Sequence, residues 1–388
     1  MGLTQSVSTP SPSPSSSSSA SSTSSASSTS SASSASSASS AAAPERSVLA
    51  IDAGNSKTDV ALVGPDGSVL GAARGGGFRP PVVGAEAAVG SLAPLVEDAA
   101  RQAGGSGPPR VGHIAGHISA CLANADLPSE EEELTGVLAD RGWGATVTVA
   151  NDTFALLRAG VADDGEPTGV SVVCGAGINC AGIGHGGRVA RFPAIGRISG
   201  DWGGGGYLSE EALWWAARAE DGRGEPTELA RALPAQFGLT TMYELIEALH
   251  LGRLDAARRH ELTPVLFAVA DAGDEIARAI VDRQAEEVVT MATVALGRLD
   301  LLGEETPVVL GGGVLAARHP LLDDRIRELL AERAPKAEPR VVTAPPVLGA
   351  ALLGLDRTGA PEAAYARLRA HYAPADDAES GTESPSEA

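Results

Sequence analysis

The segment Asp52-Ala53-Gly54-Asn55-Ser56-Lys57-Thr58 gathers a carboxylate, a glycine, a lysine and a hydroxyl within one turn. Such a set can hold a metal-chelated phosphate. Gly54 lets the backbone approach the anion, Lys57 supplies positive charge, and the Thr58 hydroxyl can bond a phosphate oxygen. Asp52 ends an apolar run and is suited to a hydrated magnesium ion. The spacing is not that of a GxxxxGK[ST] loop, because the residues that follow read as strand and not as helix. A glycine hairpin with solvated charges is the alternative reading of this turn taken alone. Three more turns of this kind fall at strand ends: Asn151-Asp152-Thr153, Gly175-Ala176-Gly177-Ile178-Asn179-Cys180 and Gly311-Gly312-Gly313.

Rigid elements must position these groups. Val48–Val63 reads as two strands around the first turn, and Ser68–Arg74 as a third after Pro65-Asp66-Gly67. Val89, Leu92, Leu95, Val96 and Ala99 fall at helical spacing and predict one helix over Ala85–Ala103. Val111–Ala123 reads as strand and loop. Ser129 and Glu132 form a capping-box pattern that starts a helix Glu130–Arg141, which explains the acidic run as a helix N-terminus. Ala145–Ala150 reads as a strand running into Asn151-Asp152, then a helix Phe154–Gly160 for which Asp152 is a candidate N-cap.

The second half repeats the opening pattern. Val170–Cys174 is an apolar strand, followed by the glycine turn and a strand Ala181–Ile183. Laying Ala53-Gly54 on Ala176-Gly177 also lays Val60 on Ile183. Two such units predict a duplicated α/β fold with a cleft between its halves. Helices are expected near Glu210–Glu220, Thr241–Leu251 and Thr263–Leu299, the last broken near Gly273. Val308–Leu310 then reads as a strand entering Gly311–Gly313, Arg340–Thr343 as another, and Pro346–Leu355 as a small-residue helix.

Composition narrows the function classes. The 388 residues carry a formal net charge of −20, a field that disfavours nucleic acid and anionic membranes. No apolar run reaches the roughly 18 residues of a membrane span. Residues 1–44 are nearly all Ser, Ala, Thr and Pro, too poor in apolar surface to offset the entropy of ordering. They are expected to be a disordered arm without the features of a signal peptide. Residues 357–388 are expected to be a disordered acidic tail. Residues 45–165 and 166–356 would then be two subdomains, with helix 346–355 free to pack back on the first. Cys121, Cys174 and Cys180 make no paired framework, which fits a reducing cytoplasm. His113 and His117 lie in a strand-like stretch, where an i,i+4 pair does not converge on one ligand point.

The motifs Asp52-Ala-Gly-Asn-Ser-Lys-Thr, Asn151-Asp-Thr, Gly175-Ala-Gly-Ile-Asn-Cys, Gly200-Asp-Trp-Gly-Gly-Gly-Gly and Gly311-Gly-Gly, in that order, resemble those of the BadF/BadG/BcrA/BcrD ATPase family. That family includes the N-acetylglucosamine kinases and sits within the acetate kinase, sugar kinase, actin and heat-shock chaperone superfamily. The resemblance spans about residues 47–356. It implies two ribonuclease-H-like, actin-like ATPase domains closing over nucleotide and sugar in an interdomain cleft. It further implies a cytoplasmic, ATP- and Mg²⁺-dependent kinase whose partner is a small-molecule sugar, a homodimer being left open.

The same resemblance assigns roles. Asp52 would hold Mg²⁺ through water, with Gly54, Asn55, Ser56, Lys57 and Thr58 around the phosphates. Asp152 matches the catalytic base, a carboxylate that can take the proton of an attacking hydroxyl. Gly175, Ala176 and Gly177 would face phosphate, and Gly311, Gly312 and Gly313 would let adenine lie on bare backbone. Asn151, Asn179 and Asp201 fall on the sugar side, where Trp202 is placed to stack. Two positions depart from the pattern: Ala176 stands where the sugar kinases carry threonine, and Gly77-Phe78-Arg79-Pro80-Pro81 replaces a sugar-binding asparagine segment. Arg79 would then meet a different substrate group, such as a carboxylate or phosphate. The family also holds iron–sulfur activators of acyl-CoA dehydratases and reductases, which makes Cys174 before its glycine turn an alternative reading; a buried inert thiol is the other. A non-catalytic sugar or nucleotide sensor is the third.

Overall fold

The computed structural model describes residues 46–104 and 113–373. The Ser-rich arm and the end of the acidic tail lie outside the described residues. Ten strands among the described residues form two sheets. The first contains β1 (Val48–Ala53), β2 (Thr58–Val63), β3 (Val69–Gly75), β4 (Ala115–Leu122) and β5 (Gly144–Asn151), in the order β3-β2-β1-β4-β5. The second contains β6 (Gly169–Cys174), β7 (Ile178–Gly184), β8 (Arg188–Arg191), β9 (Thr306–Gly311) and β10 (Ala337–Val341), in the order β10-β9-β6-β7-β8. The two are one topology used twice: an antiparallel meander whose first strand also carries two parallel strands.

The internal register differs from the sequence reading. Ala53 pairs with Thr58 across the first turn, and Cys174 pairs with Ile178 across the second. Ala53 therefore corresponds to Cys174 and Gly54 to Gly175, not to Gly177. The second turn, 175–177, is one residue shorter than 54–57, and matching Ala-Gly dipeptides hid this.

β1 is buried along its whole length, as a strand covered on both faces must be. Leu49, Ile51 and Ala53 face one way, onto a core with Val60, Leu92, Val96, Ile118, Leu134 and Leu138. Val48 and Ala50 face the other way, onto Ala61, Val63, Val347, Ala351 and Leu355. In the second sheet Val170, Val172 and Cys174 face the main core, packed by the helices Gly205–Glu220, Leu262–Asp271, Glu275–Arg298 and Pro320–Arg333.

Two helices trade sheets. Asp152–Gly160 follows β5 yet lays Leu156, Leu157 and Val161 on Val173, Ile183 and Val309 of the second sheet. Val347–Thr358 follows β10 yet packs on Val48, Ala50, Ala61 and Val63 of the first. They cross where Gly349 meets Ala155, so closely that a Cβ on Gly349 would lie 1.8 Å from the Ala155 carbonyl oxygen.

Three expectations need correction. The helix over Ala85–Ala103 is two, Ala85–Gly90 and Ala93–Gly104, because Ser91 turns its hydroxyl back onto the Ala88 carbonyl at the joint. The acidic helix spans Pro128–Asp140, and Glu130, not Glu132, caps it by accepting the N–H groups of Asp126 and Leu127 at 3.0 and 2.9 Å. The expected tail from 357 instead finishes the helix Val347–Thr358 and adds a further helix, Glu362–Tyr372. That last helix buries only a narrow stripe, Ala364 and Leu368, and Arg369 anchors it on Asp163 and on the carbonyls of Ala159 and Val161.

Candidate active site

The first turn is closed by a hydrogen bond from Gly54 N to Lys57 O at 2.8 Å. Its outer side is held by the following loop: Phe78 N donates to Gly54 O, Arg79 Nε to Asn55 O at 3.0 Å, and Asn124 Nδ2 to Asn55 Oδ1 at 3.0 Å. Gly77 is needed there, since a Cβ would come within 2.1 Å of Asn55 O. Asn55 and Arg79 are thus spent on shaping the turn, and Ser56 and Lys57 remain exposed at its tip. Thr58 is buried, and its Oγ1 has no hydrogen-bond partner. An orphan hydroxyl of that kind costs about 1–3 kcal/mol and suits an incoming oxygen.

The second turn is backed by the helix Gly205–Glu220, whose first N–H groups bind it: Gly205 N to Gly175 O at 2.7 Å and Gly206 N to Ala176 O at 2.9 Å. Gly204 has φ +85°, and a Cβ there would stand 2.4 Å from Gly177 O. The third turn closes on the first strand of its own sheet: Gly312, φ +84°, sits against the Cys174 carbonyl, where a Cβ would be 2.5 Å away. Gly311 packs on Leu156 of a crossing helix and is a packing glycine.

These turns open on one cavity of about 1120 Å³. Ser56 and Lys57 enter it from the first sheet, and Gly175, Ala176, Gly312 and Gly313 from the second. Phe267, Pro264 and Val314 give it an apolar wall. Gly54, Asn55, Thr58, Gly177 and Gly311 do not line it; they hold the turns that do.

Three carboxyls, Asp52, Asp126 and Asp152, have raised pKa values, and Asp152 acts electrostatically on the other two. Asp52 is 5 % exposed, and burial first, then Asp152 and Asp59, push its pKa up to about 8 against the pull of Lys57. Asp59, directly opposite on β2, is held by Arg74 through Nε at 2.5 Å and Nη2 at 3.1 Å. Asp52 has no ion pair among the described residues. Burial raises Asp152 to about 6, while the backbone N–H groups of Thr153 and of Asp152 itself pull it down. Asp126 rises to about 7 through burial, then Asp152 and Glu130. Desolvated acids without a counter-ion invite a cation. No cluster of three or more His, Cys, Asp or Glu among the described residues could cage a metal. Asp52, with Asp152 close by, fits instead a magnesium ion that keeps most of its water, as this ion prefers.

Asn151, not Asp152, caps the helix Asp152–Gly160: its Oδ1 accepts from Thr153 N at 3.1 Å and from Thr153 Oγ1 at 2.7 Å. This leaves the Asp152 carboxyl free of the capping role. Asn151 Nδ2 donates to Asp126 Oδ1 at 2.8 Å, and Asn179 Nδ2 donates to Asp126 Oδ1 at 3.2 Å and to Asn151 Oδ1 at 3.1 Å. The structure thus brings Asn151 and Asn179 together from opposite sheets. It does not bring Asp201 to them. Asp201 turns back on its own loop, accepting from Gly196 N at 3.2 Å and from the Ser199 hydroxyl. Trp202 is buried, and Arg283 covers its ring at 4.0 Å, so it is no platform for a sugar.

Sequence reasoning missed Asp126. The available signal was its place: a polar loop after β4, at the carboxyl end of a strand parallel to β1, where open α/β sheets build their sites. His117 is buried against Thr146 Oγ1 at 2.9 Å, and His113 is exposed on the Gly142 carbonyl, so the pair holds nothing between them.

All three cysteines are free and buried. Burial pushes the Cys174 thiol up to about 12 and raises Cys121 and Cys180 as well. Thiols so placed are inert and out of reach of a cluster shared between subunits. The native protein is expected to stay unlabelled by a thiol reagent at pH 8, with all three cysteines reacting after denaturation; labelling of Cys174 in the folded protein would contradict this.

Known proteins are similar in the same region. A model of the BadF/BadG/BcrA/BcrD ATPase family matches residues 49–354. The N-acetyl-D-glucosamine kinase of Dictyostelium discoideum is 28 % identical over 243 residues, covering 61 % of this chain and 75 % of its own. The N-acetylmuramic acid/N-acetylglucosamine kinase of Clostridium acetobutylicum is 25 % identical over 216 residues, covering 56 % of this chain and 69 % of its own. A solved structure from Chromobacterium violaceum, described as a candidate N-acetylglucosamine kinase, is alike in fold, with TM-score 0.62 at 23 % identity over 80 % of this chain and 99 % of its own. No described helix is long and apolar enough to cross a membrane.

Proposed function

Because the chain belongs to the BadF/BadG/BcrA/BcrD ATPase family, we propose that it is an ATP-dependent sugar kinase acting on N-acetylglucosamine or a related amino sugar such as N-acetylmuramic acid. One observation carries this reading: the cavity that joins the Ser56–Lys57 turn to Gly175-Ala176 and Gly312-Gly313, with Asp52 in the strand leading into that turn and Asp152 near enough to act on it electrostatically. Residues 45–165 and 166–356 are read as two ribonuclease-H-like domains, and the cavity as the nucleotide half of the cleft between them. The names of the two curated relatives support the substrate class.

In this reading adenine lies on the bare backbone of Gly312 and Gly313, and the phosphates run toward Ser56 and Lys57. Asp52 would hold a Mg²⁺ ion through water, which would supply charge neutralisation at the transferring phosphate. The substrate hydroxyl gives its proton to Asp152 as its oxygen bonds to the γ-phosphorus, and the bond to the β-phosphate oxygen breaks to release ADP. Lys57 orients the phosphates throughout. The low-dielectric surroundings that raise Asp152 to about 6 leave it ionised at neutral pH and a stronger base than an exposed aspartate.

A coupled ADP-release assay across N-acetylglucosamine, N-acetylmuramic acid, glucosamine and glucose tests the proposal. Release that depends on an N-acetylated amino sugar is the expected result. The acid limb of kcat/KM is expected near pH 6, because protonating Asp152 removes the base. Release indifferent to every sugar would sink the reading.

A further inference from the structure

The loop after β4 carries a carboxylate, Asp126, that neither caps a helix nor takes part in an ion pair among the described residues. Asp126 Oδ1 accepts both amide donors, Asn151 Nδ2 from the first sheet and Asn179 Nδ2 from the second. Its Oδ2 takes no hydrogen bond among the described residues. Arg191 acts on it electrostatically but makes no hydrogen bond to its carboxyl. Arg191, on β8, pairs with both oxygens of Glu131 at 3.0 Å and donates to the main-chain carbonyls of Ala125 and Asp126 at 3.1 and 3.0 Å. The second sheet therefore fixes the backbone of this loop through Arg191 and one carboxyl oxygen through Asn179, with Asp152 near enough to act on the carboxyl electrostatically.

Both asparagines are meanwhile engaged in the cluster. Each Asn179 Nδ2 hydrogen has an acceptor in the cluster, and Asn179 Oδ1 accepts from Cys180 N at 2.7 Å. In this arrangement the two amides orient the carboxylate of Asp126, and Asn179 Oδ1 keeps a second lone pair.

We infer that Asp126 is a substrate-contacting residue whose free Oδ2 accepts a hydrogen bond from a hydroxyl or acetamido N–H of the acceptor beside Asp152, with Asn151, Asn179 and Arg191 as its positioning residues. This rests on the sugar-kinase reading above. A carboxylate so placed selects for donors on the acceptor, since a molecule lacking that donor leaves a desolvated oxygen unpaired.

Asp126→Asn is the sharp test, because the amide oxygen can still accept from both asparagines while an N–H₂ replaces Oδ2. The expected result is a rise of about 10- to 100-fold in KM for the sugar, with KM for ATP within about twofold of the parent and an unchanged melting temperature. Arg191→Lys keeps the charge but loses the carbonyl clamp, and is expected to raise the sugar KM in the same direction by less. A sugar KM unchanged in Asp126→Asn overturns the inference. So does an equal loss in kcat and both KM values with a lowered melting temperature, which would mark a purely structural role. Calorimetric titration of N-acetylglucosamine into the protein with a non-hydrolysable ATP analogue separates the two claims. Parent protein that binds the sugar without turnover refutes the kinase reading, while weakened binding by Asp126→Asn alone still upholds the contact.

Discussion

Replacing Asp152 by asparagine is expected to lower kcat by about 10²- to 10⁴-fold, the range of a positioned general base. The substitution is close in shape, and the helix it begins is capped by Asn151, so the fold loses no cap. Stability should move the opposite way. Asp152 has a folded pKa of about 6, above its ordinary 3.8. A carboxyl raised on folding contributes stability below the unfolded value that is lost as pH rises through the folded one. The asparagine variant escapes that loss and also relieves the repulsion on Asp52 and Asp126. It should melt higher than the parent at pH 8 and much like it near pH 4. Calorimetry at the two pH values, together with single-turnover kinetics, checks both halves; full phosphotransfer in the variant would remove Asp152 from the role of base.

Gly349→Ala carries the second large effect, on the fold. One methyl group there would overlap the Ala155 carbonyl at 1.8 Å, and main chain cannot step aside as a flexible side chain can. The two helices must separate, which is expected to cost about 3 kcal/mol or more and lower the melting temperature by about 5 °C or more. Gly136 is the control: it lies in the helix Pro128–Asp140 with nothing within 4 Å of an added Cβ. Alanine there should be neutral or stabilising by up to about 1 kcal/mol. Equal melting of the two variants would show that the crossing tolerates separation.

What could be read from the sequence was local. Val48–Ala53 is apolar on both faces and could hardly be anything but a central strand, so Asp52 at its end was visible as a chemical group. The break near Gly273 was also legible, because the glycine holds φ +102° between two helices with clear apolar faces. What failed was set by distant partners. Asp126 acquires its neighbours only when β4 lies parallel to β1 and β7 arrives from the other sheet. Asp201 sits in a suggestive motif, yet Ser199 and Gly196 bind it first. The helix Glu362–Tyr372 reads as polar tail because two buried side chains and two arginines, Arg367 on Asp66 and Arg369 on Asp163, hold it. The repeat was seen in kind but misread in register, since turn length and not dipeptide identity determines which residues correspond.

The exchange of helices between sheets also dictates how the chain can be made. As synthesis proceeds from the N-terminus, the first sheet emerges with Val48, Ala50, Ala61 and Val63 facing water, because the helix that covers them is Val347–Thr358. The hydrogen bond from Ser119 Oγ to the Ala350 carbonyl, at 2.7 Å, spans that same interval. The helix Asp152–Gly160 likewise waits for β9 before Leu156 and Leu157 find cover. Neither half completes its core before its covering helix has been made, and until Val347–Thr358 emerges the nascent chain carries an apolar face. Its period of greatest exposure lies in biosynthesis and not in the folded state.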